Sequence, residues 1–215
     1  MIPVTAVMIV YNNEDAALHR LTRDLLPALH SADYDWQLIV IDNSTTRSHQ
    51  LAAQVAHYDG HYEWLRGHNL LYGPSLNLAV SLARHPSLLY VCSEHGRSHD
   101  GTWVYDLLRP MICDSTGLVA MTGCLQDAGP PEDHGFPEDL PHIHIQGGVF
   151  AARTDLLRSY PYPTDQHKHW GADIIECFTL LDAGYRLVDV PTIRSVWRVP
   201  AGDGDWKYIH DEPVA

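Results

Sequence analysis

Polar side chains interrupt apolar runs at three places along the chain: Tyr11-Asn12 after VTAVMIV, Asp42-Asn43-Ser44 after LIVI, and Ser93-Glu94-His95 after SLLYVC. Carboxylates, amides, hydroxyls and an imidazole gathered at strand ends suit a ligand rich in hydrogen-bonding groups, held in one crevice at the end of a sheet. The chain contains no GxGxxG and no GxxxxGK[ST], so the dinucleotide fingerprint and the phosphate loop are both excluded. Fifteen histidines raise the question of zinc, and His142 and His144 lie close together. They are one residue apart rather than a helical turn, with no third ligand at the usual spacing, so they read as polar residues lining a cleft. The four cysteines, Cys92, Cys113, Cys124 and Cys177, make no CxxC pair, which fits a reducing compartment.

The elements that must carry these residues alternate. Val4 to Val10 is short, apolar and β-branched, as a buried strand is; from Asn13 the period changes, with Leu18, Leu21, Leu25 and Leu29 marking a helix to about His30 that Pro27 kinks. A strand over Leu38 to Ile41 precedes a helix over Ser48 to Tyr58, and Tyr62 to Leu65 is a short third strand. Pro74 to Arg84 reads as a helix with proline near its start, followed by a strand over Ser87 to Cys92. Asp100 is placed to cap a helix over Trp103 to Met111. Gly117 to Gly123 is strand-like. Residues 126–141, with four prolines and five acids and no periodicity, read as a mobile surface loop. Then come a strand at His142 to Gln146, the Gly147-Gly148 pair, a helix from Gly171 to Ala183, and strands over Tyr185 to Val190 and Ile193 to Trp197. The pattern predicts a single α/β domain over 1–215, a Rossmann-like, mostly parallel central sheet with helices on both faces.

Composition narrows the function classes. The 215 residues are 45% apolar and 19% charged, as in an ordinary globular domain. The net charge of −13, with no basic run, argues against nucleic acid. No stretch approaches the roughly 20 apolar residues of a transmembrane helix. The first residues show neither a basic flank nor a cleavage site, and the expected location is the cytoplasm.

In order and spacing, TAVMIVYNNEDAALHRLTRDLL, LIVIDNSTTRS, GHNLLYGPSLNLAVSLA, SLLYVCSEH, IHIQGGVFAARTDLL and HWGADIIECFTLLDAGYRLVDVP resemble the family 2 glycosyltransferases, the inverting GT-A type that uses nucleotide-diphosphate sugars. The likeness runs from Thr5 to about Val196. It implies a donor, of the UDP-sugar kind, lying across the first half of the sheet. Tyr11 and Glu14 then border the base, Val10 and Ser93 line the donor, and Asp42 accepts a hydrogen bond from the base. The stretch containing Asn69, Gly73 and Asn77 lines the base and ribose. Against this, Asp42-Asn43-Ser44 also reads as a turn that caps a helix. Gly147 and Gly148 would let the backbone close on the donor sugar and phosphates.

The resemblance puts a metal motif, ordinarily Asp-x-Asp, where this chain has Ser93-Glu94-His95. Glu94 and His95 are the metal ligands it implies, for Mn²⁺ in preference to Mg²⁺ because one donor is nitrogen. The phosphate-contacting histidine after the last core strand is replaced by Trp197-Arg198, leaving that role between Arg198 and His210. The general base falls on Asp173, although the acid that ordinarily precedes it is Ala172; helix-end stabilisation is its alternative role. Trp170 and His144 are placed on the acceptor side, and the acceptor is expected to be a soluble small molecule or glycan bearing a hydroxyl. With the metal motif altered, a catalytically silent nucleotide-sugar binding protein of the same fold is the competing reading.

Overall fold

The structure, a computed structural model, describes residues 2–31, 34–93, 95–97, 102–122, 124–165, 171–200 and 206–209, and for 95–97, 122, 191–200 and 206–209 the backbone alone. Four parallel strands form its first half: β1 (Ile2–Val10), β2 (Tyr34–Asp42), β3 (His61–Trp64) and β4 (Ser87–Val91), side by side in the order β3-β2-β1-β4. Their continuous apolar runs are those of strands covered on both faces: Val4, Ala6, Val7, Met8 and Leu38, Ile39, Val40 and Ile41 are essentially inaccessible. With β2 on one side of β1 and β4 on the other, the strand order reverses at β1, the place where open α/β sheets bind their ligands beyond the carboxyl ends of the strands.

Past β4 the sheet continues through β9 (Val149–Arg153), β6 (Thr116–Thr122), β10 (Arg186–Pro200) and β11 (Trp206–Ile209), with β5 (His95–Arg97) also paired to β10. Strand β9 runs against both β4 and β6, whereas β6 and β10 are parallel. The sheet is therefore mostly parallel, as expected, with β9 reversed at its centre.

The helices follow the sequence pattern with local exceptions that proline explains. The first begins as α1 (Glu14–Arg20), widens to a π-turn over Leu21–Leu25 and resumes as α2 (Leu26–His30). Pro27 has no N–H for the carbonyl four residues back, and the wider turn makes room for its ring. α3 (His49–His57) starts where Ser48 accepts the Leu51 N–H at 3.1 Å. α4 spans Tyr72–Leu82, with Pro74 inside the first turn. α5 (Trp103–Leu108) gives way to a 3₁₀ turn, Arg109–Ile112, at Pro110, and its N-cap is Thr102; the expected cap, Asp100, lies outside the described residues. α6 is Thr154–Ser159 and α7 is Ala172–Asp182.

Two expectations gain detail. Residues 126–141 are a surface loop pinned at its ends and along its length. β7 (Leu125–Asp127) pairs with β8 (Ile143–Ile145), a 3₁₀ turn covers Pro131–His134, and the rings of His134 and Phe136 lie 5.7 and 5.5 Å from that of Phe178 on α7. The missing periodicity reflects anchoring by a few residues, Ala128, Pro131 and Phe136, while the acids face solvent. The two late strands are one, β10. Pro191 does not break it because the ladder to β6 slips between Val190 and Arg194, a bulge where proline is tolerated.

Candidate active site

The ends of β1 and β2 are stitched together. Val10 and Asp42 are register partners, and the Asn43 N–H donates to the Val10 carbonyl at 2.8 Å. Asn12, left-handed at φ 53°, donates its N–H to Ser44 Oγ at 2.8 Å and accepts from the Thr45 N–H and hydroxyl at 3.0 and 2.9 Å. Asparagine is among the few residues that hold this backbone conformation readily.

The Asp42 carboxylate is wholly inaccessible. Its Oδ1 accepts the Ser44 N–H at 2.9 Å, while Oδ2 accepts the Tyr62 hydroxyl and, at 3.5 Å, the Ser48 N–H. Burial, with the bond to Asp42 second, pushes the Tyr62 hydroxyl well above its ordinary pKa. Asp42 thus folds the turn and steadies the start of α3, the turn-and-cap role that its sequence also offered. Asp42→Asn should set an amide N–H₂ against one of these donors and lower stability by about 1 to 2 kcal/mol, read by chemical denaturation. An unchanged midpoint would mean that the turn is held without the carboxylate.

Three further residues expected at the donor are engaged within the protein. Val10 is a core residue, 1% exposed. The Glu14 carboxylate accepts the Ser48 hydroxyl. Asn77 donates to the Tyr162 carbonyl at 2.8 Å and accepts the Tyr162 N–H at 3.0 Å, so both ends of its amide clamp the chain after α6. Asn69 accepts the Leu71 N–H at 2.8 Å, a local turn, and Gly73 is buried in the first turn of α4. Tyr11, by contrast, stands 53% exposed at the rim.

A second group converges on Gly147 and Gly148. Just past β1, the Asn13 amide donates to Ser93 Oγ at 2.8 Å, bridging the ends of β1 and β4. From β4, the Cys92 N–H donates to the Gly148 carbonyl at 2.8 Å. From α4, the Tyr72 ring packs on Gly147 so closely that a Cβ there would lie 3.0 Å from Cζ, which is why the position holds glycine. From α7, Asp173 Oδ2 accepts the Gly147 N–H at 3.0 Å and Oδ1 accepts the Ile174 N–H at 3.1 Å. Gly171, at φ 82°, turns the chain into this helix.

His144 Nε2 lies 4.0 Å from Asp173 Oδ2, with side chains 9% and 20% exposed. Burial lowers the imidazole pKa, while Asp173 and Asp127 push it back up. One helical turn beyond Asp173, Glu176 is 1% exposed with no hydrogen-bond partner at Oε1, and burial pushes its carboxyl up to about 8. Burial likewise pushes the Cys177 thiol up.

Glu94, Trp170 and His210 lie outside the described residues. For His95 and Arg198 only the backbone is described, opposite Trp197 and Tyr208 respectively. Among the described residues no group of three or more His, Cys, Asp or Glu could hold a metal ion. The pattern of strand ends left Asn13 and Tyr72 unnoticed. Asn13 directly follows Tyr11-Asn12, a signal within reach, whereas Tyr72 meets Gly147 only through tertiary packing.

A parallel sheet that reverses order at β1, with the glycine turn and an acid-bearing helix closing its carboxyl edge, defines a GT-A fold. Residues 5–153 match glycosyl transferase family 2, and the chain belongs to that family. Similar solved structures include a mannosyltransferase from Pyrobaculum calidifontis in complex with GDP-Man and Mn²⁺, at TM-score 0.61 and 16% identity over 87% of this chain and 54% of that one. GalNAc-T7 with UDP, GalNAc and Mn²⁺ matches at TM-score 0.65 and 14% identity over 91% and 43%. Glucosyl-3-phosphoglycerate synthase from Mycobacterium tuberculosis, with Mn²⁺, UDP-Glc and phosphoglyceric acid, matches at 0.58 and 16% over 94% and 73%. The chain spans about half the length of the first two of these. No curated protein sequence matches it. Among the described residues no helix is long and apolar enough to cross a membrane.

Proposed function

We propose that the chain is an inverting glycosyltransferase that moves a sugar from a nucleotide-diphosphate sugar, of the UDP class, to the hydroxyl of a small-molecule or glycan acceptor. The observation that carries the reading is the convergence of the end of β4, α4 and α7 on Gly147-Gly148, with the Asp173 carboxylate bonded to that turn. Tyr11, exposed at the rim, offers a face for the base. Close approach of the Gly147-Gly148 backbone suits the donor sugar, and Asp173 is the general base that takes the acceptor's hydroxyl proton on the face opposite the nucleotide.

Glu94 and His95, which the sequence puts directly after Ser93, form a mixed oxygen and nitrogen donor set that fits Mn²⁺ better than Mg²⁺. A divalent ion held there would neutralise the charge that grows on the departing diphosphate. The solved relatives were captured with GDP-Man, UDP or UDP-Glc and with Mn²⁺, which supports this donor and metal class.

Calorimetry with the uridine, guanosine, adenosine and thymidine diphosphates, each with and without Mn²⁺, tests the reading. UDP should bind, and Mn²⁺ should tighten it. Absence of binding by every diphosphate would sink the proposal. Binding without any release of UDP from UDP-sugars would favour the silent binder, a reading motivated by Ala172 standing where an acid ordinarily precedes the base.

A further inference from the structure

We propose that His144 is a positioning residue for Asp173: its imidazole, wedged behind the carboxylate, fixes which oxygen and which lone pair face the acceptor. This rests on Asp173 being the general base. Asp173 Oδ2 already accepts the Gly147 N–H at 3.0 Å, and His144 Nε2 stands 4.0 Å from that same oxygen. Oδ1 accepts from Ile174 at 3.1 Å. Flanked in this way, the carboxylate has little freedom to rotate about its last bond.

The imidazole cannot retreat. The next residue, Ile145, donates its N–H to Cys177 Sγ at 3.2 Å, so β8 is fastened to the helix that carries Asp173. On its other side β8 is in register with β7, Gln126 opposite His144. The ring's Nδ1 is buried with no hydrogen-bond partner. An apolar side chain would fill the position without that cost, so packing alone does not account for a histidine here. Three titratable groups face the ring among the described residues: Asp173 from α7, Asp127 from β7 and His134 from the 3₁₀ turn. Asp173 is the acid on the Nε2 side, the Gln126 backbone is the ring's other polar neighbour, and burial opposes a charged ring; positioning of Asp173 calls for the neutral form with its proton on Nε2, toward Oδ2. His144 gives up no proton in the reaction; the acceptor's proton passes to Asp173.

Long-range ¹H–¹⁵N NMR on the full chain, with the His144 signals assigned by their loss in His144→Gln, reads the pairing without any assay of activity. The expected signature is an Nε2–H tautomer at neutral pH, with a titration midpoint that falls further in Asp173→Asn because the opposing negative charge is gone. An Nδ1–H tautomer, or a midpoint indifferent to Asp173→Asn, overturns the proposal. Release of UDP from UDP-Glc, with water as acceptor, supplies the kinetic arm. His144→Leu should slow it about 10-fold or more with UDP affinity retained, while His144→Gln, which keeps an N–H donor in reach, should recover most of the rate. Equal rates in wild type and His144→Leu also overturn it. If UDP fails to bind at all, the transferase reading fails, and the NMR signature still decides whether His144 and Asp173 are coupled.

Discussion

Replacing Glu176 by glutamine is expected to change the pH dependence of stability more than any other single substitution in the core of this protein. The carboxyl is 1% exposed, Oε1 has no partner, and burial raises its pKa from 4.5 to about 8. Because the folded state binds the proton more tightly, the stabilisation is complete below about pH 4.5 and is lost as pH rises through about 8. At about 1.4 kcal/mol per pKa unit, the integrated loss is on the order of 5 kcal/mol. Glutamine does not titrate, so the stability difference between variant and wild type should swing by that amount in favour of the variant between pH 4.5 and 8. The swing is the diagnostic quantity, since a buried amide carries its own cost at every pH. Urea denaturation at both ends of the range gives it directly. Parallel curves for the two proteins would show that Glu176 finds a partner or water on ionisation.

Asp173→Asn should separate chemistry from architecture at the proposed base. Asparagine can keep a carbonyl oxygen for the Gly147 N–H, now at 3.0 Å from Oδ2, and therefore the tie between α7 and the glycine turn. It cannot take a proton. Turnover should fall by about 10²-fold or more while nucleoside diphosphate affinity and melting temperature hold. Asp173→Ala, which loses the tie as well, should in addition weaken the turn. If the asparagine variant turns over normally, Asp173 belongs to the scaffold alone.

Strand ends were the most legible part of the sequence, because a parallel strand buried on both faces must be apolar until it leaves the sheet. The breaks at Tyr11, Asp42 and Ser93 therefore marked where β1, β2 and β4 leave the sheet. What those breaks could not reveal was direction. Asp42 at a strand end faces inward to Tyr62 and Ser44, and Asn77 faces Tyr162, 85 residues away; in both cases the partner is set by tertiary folding. Sequence patterns also underrated anchoring by sparse contacts, as at Phe136 against Phe178, and divided at Val190 a strand that runs on to Pro200. The tie between Asp173 and Gly147 joins residues 26 apart through a turn that leaves no periodic trace.

The excursion from β7 to β8 leaves and rejoins the body at one point. The Gln146 N–H donates to the Cys124 carbonyl at 2.7 Å, so what lies between is a closed loop hung beside the helix that carries Asp173. Closure of this kind makes length inexpensive: doubling a flexible insertion costs only about 0.6 kcal/mol in chain entropy. Relatives could therefore exchange this segment wholesale, short for long or acidic for neutral, without disturbing a strand. The obligations on a newcomer are to keep β8, with His144 beside Asp173, and to bring something apolar to cover Phe178, as Phe136 and His134 do here. Diversity in what is delivered to the helix end can thus accumulate in a single interchangeable cassette while the sheet beneath it stays constant.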